Sequence, residues 1–326
     1  MIVPDHWAEA RRQHRAATGQ ITVRRFGWSA DSAEEARAMA ERRAEEALAR
    51  LIAGENLPRH EPKVPYNGAE GVPIREEVLA RHGEEVITRN AYGARCLNSP
   101  NALFADVDFE SRPGMQPVLA AFGVLALAAA LIGLRQGSVL LGLLLLAVSA
   151  VLSAPVATLM RRIGTRARGG ADMRARRRLA TFLASRPEWN VRIYRTPAGL
   201  RLLATHRPFS PSEADVTEFF RAVETDPVYV RMCLNQHCFR ARLSAKPWRI
   251  GLPSHLRPRP GVWPVASEHM TRRNAWIAEY EARAAKFAAC RYVESLGSGT
   301  VDRRLKAVID LHDRESRAND AGSPIA

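Results

Sequence analysis

The segment Leu103-Phe-Ala-Asp-Val-Asp-Phe-Glu110 carries the residues best suited to chemistry. As a strand of two-residue periodicity it would place Asp106, Asp108 and Glu110 on one face and Leu103, Ala105, Val107 and Phe109 on the other. Carboxylates gathered on one face repel each other unless a cation or basic groups neutralise them. Hard oxygen ligands of this kind suit Mg²⁺ or Mn²⁺, and a metal there could clamp phosphates. The plainer alternative is a solvated strand end paired with arginines. Other constellations are weaker. Cys233 and Cys238 could offer soft ligands, but a zinc site needs four such groups and no second matching pair exists; buried or surface thiols are the expectation. His312-Asp313 reads as an exposed polar pair on a C-terminal helix. No Gly-x-Ser-x-Gly, P-loop or His-Glu-x-x-His pattern occurs.

The strand must be positioned by its neighbours, and the most conspicuous of these are two apolar runs. Residues 118–134 carry no polar side chain and residues 138–160 no charge, with Arg135-Gln136-Gly137 between them. A 17-residue helix spans roughly 26 Å, close to the hydrocarbon thickness of a bilayer. The short turn makes the pair an antiparallel transmembrane hairpin with both flanks on one side. Ala126, Ala130, Gly142, Ser149 and Ser153 would allow close helix contact, and Pro155 falls in the second helix. No ionisable residue lies inside either run, which points to an anchor rather than a pore. The N-terminus lacks the apolar stretch of a cleavable leader, so the membrane segment is expected to be internal.

The formal charge is +14, from 48 Lys and Arg against 34 Asp and Glu. Half of it sits in residues 161–178, where Arg161, Arg162, Arg166, Arg168, Arg174, Arg176, Arg177 and Arg178 face Asp172 alone, a local +7. Arginine excess beside the spans marks the cytoplasmic side, so both termini are expected in the cytoplasm and the protein in the cell's inner (plasma) membrane. The same arginines suit anionic lipid head groups; nucleic acid or nucleotide phosphate is the less favoured partner. Four scattered cysteines give no disulfide framework and fit a reducing compartment.

Around the hairpin the chain reads as alternating strands and helices. Residues 21–28 read as a strand, and Ser32 with Glu35 forms a capping box before Ala36, Ala40, Ala44 and Ala47 at helical spacing. A proline-rich linker covers 55–75, a short helix 75–82, and a β-hairpin 86–97 turns at Tyr92-Gly93. Then come a strand at 102–109, a helix at 172–185, strands at 191–196 and 200–205, a helix starting at Ser210 and a strand at 238–244. This β-α-β-β-α-β order is ferredoxin-like. The expected fold is thus α+β, with the transmembrane hairpin inserted in the first β-to-α connection. A five-proline loop at 246–264 and two helices at 267–295 and 302–318 close the chain, with a disordered tail from 319. The expected segments are 1–57, 58–116, 117–161 (the hairpin), 162–245, 246–318 and 319–326.

An Asp-x-Asp on a buried strand of a ferredoxin-like core resembles the palm of archaeo-eukaryotic-type primase-polymerase domains. The resemblance covers about residues 100–245. The family's second motif, a small polar residue, a glycine and a histidine near the nucleotide, is similar to Thr196-Pro-Ala-Gly199-Leu-Arg201, with Arg201 where the histidine would stand and His206 five residues further on. The resemblance implies nucleotide or phosphate handling. Two function classes follow. One is a membrane-anchored binding or scaffold module whose basic α+β domain engages lipid, a partner protein or both. The alternative is a membrane-tethered, metal-dependent phosphoryl- or nucleotidyl-transfer enzyme using Asp106 and Asp108.

Overall fold

A computed structural model describes residues 3–16, 19–61, 73, 75–109, 115–167, 170–259, 261 and 263–326, with backbone alone at 16, 161, 162 and 165–167. The chain opens with a two-stranded antiparallel ribbon, β1 (His6–Ala16) and β2 (Gly19–Ser29). The polar composition of β1 gives no strand signal; pairing along all of β2 and the cross-strand rings of Trp7 and Trp28, 5.8 Å apart, hold it. Helix α1 (Ala33–Ile52) begins at the expected cap, where Ser32 Oγ accepts from Glu35 N at 3.1 Å. Its buried stripe is all alanine, Ala36, Ala40, Ala44 and Ala47. The helix lies so close to β2 that a Cβ on Gly27 would stand 2.1 Å from Ala36 O.

Two four-stranded antiparallel sheets follow. The first has the order β3-β4-β5-β9, from β3 (Glu77–His82), β4 (Glu85–Arg89), β5 (Arg95–Ser99) and β9 (Phe239–Arg242). The second has the order β10-β7-β8-β6, from β10 (Arg291–Gly297), β7 (Asn190–Arg195), β8 (Gly199–Ala204) and β6 (Phe104–Asp108). One hydrophobic core joins them, from Ile87 and Leu97 on the first sheet to Phe104, Val191, Ile193 and Leu202 on the second. Helices α4 (Gly170–Ser185), α5 (Ala214–Val223), α6 (Pro227–Gln236) and α8 (Arg303–Ser316) add their apolar faces to it. Strand β9 pairs with β5 rather than with β6.

Several sequence expectations give way. Residues 77–82 form β3, not a helix, because the Gly83-Glu84 turn, with Gly83 at φ +62°, folds them back onto β4. The helix expected to start at Ser210 starts at Ala214; Glu213 instead reaches back to accept from Ser210 N at 2.5 Å. The helix expected over 267–295 ends early as α7 (Met270–Ala284), and 291–297 become the edge strand β10 on β7. Tyr292, Glu294 and Leu296 turn inward there while Val293 and Ser295 stay exposed, the period of a strand. The tail expected to be disordered is held by Ala326 N to Ala288 O at 3.0 Å and Ala288 N to Pro324 O at 2.9 Å.

Helices α2 (Met115–Arg135) and α3 (Val139–Ala167) form the hairpin, joined through Gly137 at φ +62°. Met115–Arg135 and, within α3, Val139–Met160 are long and apolar enough to cross a membrane, with mean hydropathies of 2.4 and 2.5. Their large side chains, among them Leu119, Leu127, Leu134, Leu140 and Leu144, point outward. The contact seam is small: Ala129, Gly133, Ser149, Ser153 and Ala157 are buried, and Ala130, expected there, is exposed. A Cβ on Gly133 would lie 2.9 Å from Gly142 Cα.

Candidate functional site

Between β6 and β9 the two sheets are not joined by a ladder, and side chains bridge the gap. The Tyr229 hydroxyl, on α6, sits 3.0 Å from Phe104 O and 2.9 Å from Arg240 O and accepts from Arg240 N at 3.2 Å. Arg201 Nη1 donates to Arg242 O at 2.8 Å. Beside these bridges lies a cavity of about 360 Å³. Asp106 and Asp108 of β6, Arg201 of β8, Arg242 of β9, and Lys246 and Arg249 of the following turn all line it.

The strand alternation expected for β6 holds: Asp106 and Asp108 face this cavity, while Leu103, Ala105 and Val107 are buried in the core. Glu110 lies outside the described residues. The two aspartates differ in partners. Register sets Asp106 opposite Arg201, whose Nε and Nη2 donate to Oδ1 at 2.9 Å and Oδ2 at 3.2 Å. Arg201 is almost fully buried. Burial alone would lower its guanidinium, but the charge and hydrogen bonds of Asp106, together with smaller contributions from neighbours such as Cys290, hold it above its ordinary value. A divalent cation on Asp106 would have to compete with this bidentate pair. Among the described residues no three His, Cys, Asp or Glu side chains gather as metal ligands. Asp108 faces the cavity, and the loss of surrounding water, followed by the charge of Asp106, pushes its carboxyl above the ordinary range; Lys246 opposes this.

The cations of the opposite wall are the residues that sequence reasoning missed. Arg240 is occupied, donating to Glu76 at 2.7 and 2.5 Å. Arg242, Lys246 and Arg249 have no salt-bridge partner among the described residues. Nη1 of Arg242 and of Arg249 is buried without a hydrogen-bond partner. Lys246 is lowered by burial and then by Arg242 and Arg249, and Arg249 by burial and then by Arg242. Three cations that repel one another thus share this cavity with the carboxylates of Asp108 and Asp226, an arrangement in which an anion with several acceptor oxygens would relieve the repulsion.

A buried row backs the site. Arg201 Nη1 is 3.3 Å from His312 Nε2, His312 Nδ1 is 3.0 Å from Asp313 Oδ1, and Arg192 Nη2 donates to Asp313 Oδ2 at 2.7 Å. The tautomer with the proton on Nδ1 satisfies the Arg201 and Asp313 contacts of His312, since a guanidinium can only donate. His312 is fully buried and Asp313 nearly so, contrary to the exposed pair expected, because α8 lays that face on the second sheet. In the Thr196–Arg201 segment, Gly199 N donates to Thr196 Oγ1 at 3.0 Å, and a Cβ on Gly199 would meet Val107 O at 1.9 Å. That glycine is demanded by the approach of β6. His206 packs instead on Trp189, with ring centroids 4.6 Å apart. Cys96, Cys233, Cys238 and Cys290 are buried free thiols; burial pushes Cys238 up to about 11.

Among the juxtamembrane arginines, Arg176 bonds Asp172 and Glu294, and Arg178 pairs with Glu224, so the domain itself holds both. Arg177 is exposed on α4. Arg161, Arg162 and Arg166 lie on α3 with side chains outside the description, and Arg168 is outside the described residues. No family model, curated protein or solved structure matches this chain.

Proposed function

We propose that this chain is a membrane-anchored binding module that holds a phosphate-class anion in the cavity between β6 and β9. The observation that carries this reading is the convergence of Arg242, Lys246 and Arg249 on one cavity, none of them in a salt bridge among the described residues, although Asp108 and Asp226 line the same cavity. A phosphate offers oxygens to all three and relieves their mutual repulsion. The apolar helices α2 and α3 supply the anchor in the inner (plasma) membrane. The arginines beyond α3, against Arg135 alone at the turn, support cytoplasmic termini and contact with anionic lipid head groups. The order β6-β8-β7, with α4, α5 and α6 in the connections, supports a ferredoxin-like core whose β9 has moved to the neighbouring sheet. A partner protein fits the same scaffold role.

The second reading, a metal-dependent phosphoryl- or nucleotidyl-transfer enzyme with Mg²⁺ or Mn²⁺ and a primase-polymerase-like palm, is favoured by one observation. Asp106 and Asp108 share the cavity with the basic cluster. Calorimetric titration of the purified full chain with inorganic phosphate separates binding from its absence. Saturable binding that weakens with salt and is lost in a Lys246→Gln/Arg249→Gln variant is expected. A parent protein that takes up no phosphate would overturn the anion reading.

A further inference from the structure

The anion cavity and the membrane hairpin share one end of the second sheet. Asp108 ends β6 and lines the cavity, and Phe109 N donates to Ala198 O, in the β7–β8 turn, at 2.8 Å. Thr196 and Ala198 of that turn also line the cavity. From Asp108 the chain reaches Met115, the first residue of α2, in seven steps, a span of at most about 25 Å even if extended. The chain after the hairpin returns to the same end of the sheet. Just past α3, Asp172 of α4 accepts from Arg195 Nη1 at 2.9 Å, and the Arg195 guanidinium lies 4.8 Å from the Phe109 ring centroid. Phe109 and Asp172, which flank the hairpin's two ends in the described chain, are therefore held where the wall of the cavity ends.

The basic side of the cavity carries its own membrane-surface feature. Trp248 follows Lys246 and Pro247 and is 47% exposed, the largest exposed aromatic side chain among the described residues. Its ring lies 5.4 Å from Lys246 Nζ and from the ring of Tyr92. An exposed indole beside a lysine is the pair that settles at the head-group level of a bilayer.

Resting on the anion-binding reading, we propose that the ligand of Arg242, Lys246 and Arg249 is the phosphate of an anionic membrane lipid whose acyl chains stay in the bilayer. A cavity tethered this close to the hairpin meets lipid phosphate at high effective concentration, whereas a soluble phosphate must arrive from the bulk. The negative surface potential of an anionic leaflet adds to the attraction. A phosphomonoester head group, with its terminal oxygens free, matches three converging cations better than the zwitterionic head of phosphatidylcholine, whose choline would meet the same cations.

Native mass spectrometry of the full chain in mild detergent, titrated with phosphatidic acid or phosphatidylcholine, tests the source of the phosphate. Selective retention of phosphatidic acid is expected in the parent, reduced about tenfold or more in Lys246→Gln/Arg249→Gln. Arg303→Gln/Lys306→Gln, which removes the same charge from two exposed positions on α8 that do not line the cavity, should retain it. Circular dichroism checks that each variant is folded, and Lys246→Gln alone serves if the double variant is not. Equal retention by parent and cavity variant would overturn the proposal. So would inorganic phosphate or a single-stranded oligonucleotide displacing the lipid at matching concentrations, though the cavity would then remain an anion site. Binding of none of the three probes would overturn the anion reading as well.

Discussion

Asp106 and Asp108 stand two residues apart on one strand face and meet opposite conditions. Asp106 neutralises a buried guanidinium, so Asp106→Asn should leave Arg201 with a weaker acceptor. The expected loss is about 2 kcal/mol, below the 3–5 typical of a fully buried pair because the Asp106 side chain is 37% exposed. Chemical denaturation measures it, and replacing both partners with apolar residues should recover part of the loss. Asp108 is governed by desolvation instead. Its carboxyl is raised in the folded state by desolvation and by Asp106, so the folded protein holds its proton more tightly than the unfolded chain. The stability this contributes is present below the ordinary carboxylate value and is lost as pH rises through the raised one. Asp108→Asn should therefore become progressively more stable than the parent across that window, and a flat difference in melting temperature with pH would refute the assignment. The aspartates are legible in the sequence because strand periodicity alone puts them on one face. Arg242, Lys246 and Arg249 are not, since three basic residues in an arginine-rich chain carry no local signature. Their convergence exists only once β9 is placed beside β6. The same holds for His312, whose burial depends on the face of α8 that meets the sheet.

At the level of elements, the cavity depends on how closely β6 and β8 run. Gly199→Ala would drive a Cβ into the Val107 carbonyl, forcing the ladder open at Asp108. A destabilisation of roughly 1–3 kcal/mol is expected, with weaker phosphate binding because Asp108 and the Thr196 turn move together. Wild-type stability in this variant would mean the strands can separate freely. Most elements of the second sheet are legible in the sequence, since β6, β7, β8 and α4 keep their periodicity and are bounded by turns. The misread elements lost to tertiary pairing. The glutamates and leucine of 75–82 favour a helix by propensity, yet Gly83 lets them join β4, and Glu77 finds Arg273 at 2.6 Å. The β10 alternation was hidden at the end of a helical-looking run, and only an open edge on β7 selects it. The pairing of β9 with β5 cannot be read from the order of strands, because that order is the same for either partner.

For the molecule as a whole, the hairpin is the segment most legible from sequence, because an apolar run long enough to span a bilayer is a local property. Among the described residues its outward-facing leucines stay exposed. The full chain should resist carbonate and high-salt extraction from membranes, and deletion of residues 115–160 should release it; equal retention after deletion would mean the anchor lies elsewhere. The central claim is that the cavity is an anion site rather than a metal site. Melting temperature of the purified full chain, alone, with phosphate, and with Mg²⁺ or Mn²⁺, tests it in the parent and in Asp106→Asn/Asp108→Asn. At a hundredfold excess over Kd a ligand stabilises by about 2.7 kcal/mol, a shift of several degrees for a chain of this size. The anion reading predicts that phosphate raises the parent's melting temperature and the divalent ions do not. A rise with Mg²⁺ or Mn²⁺ that disappears in the double variant, without any response to phosphate, would contradict it.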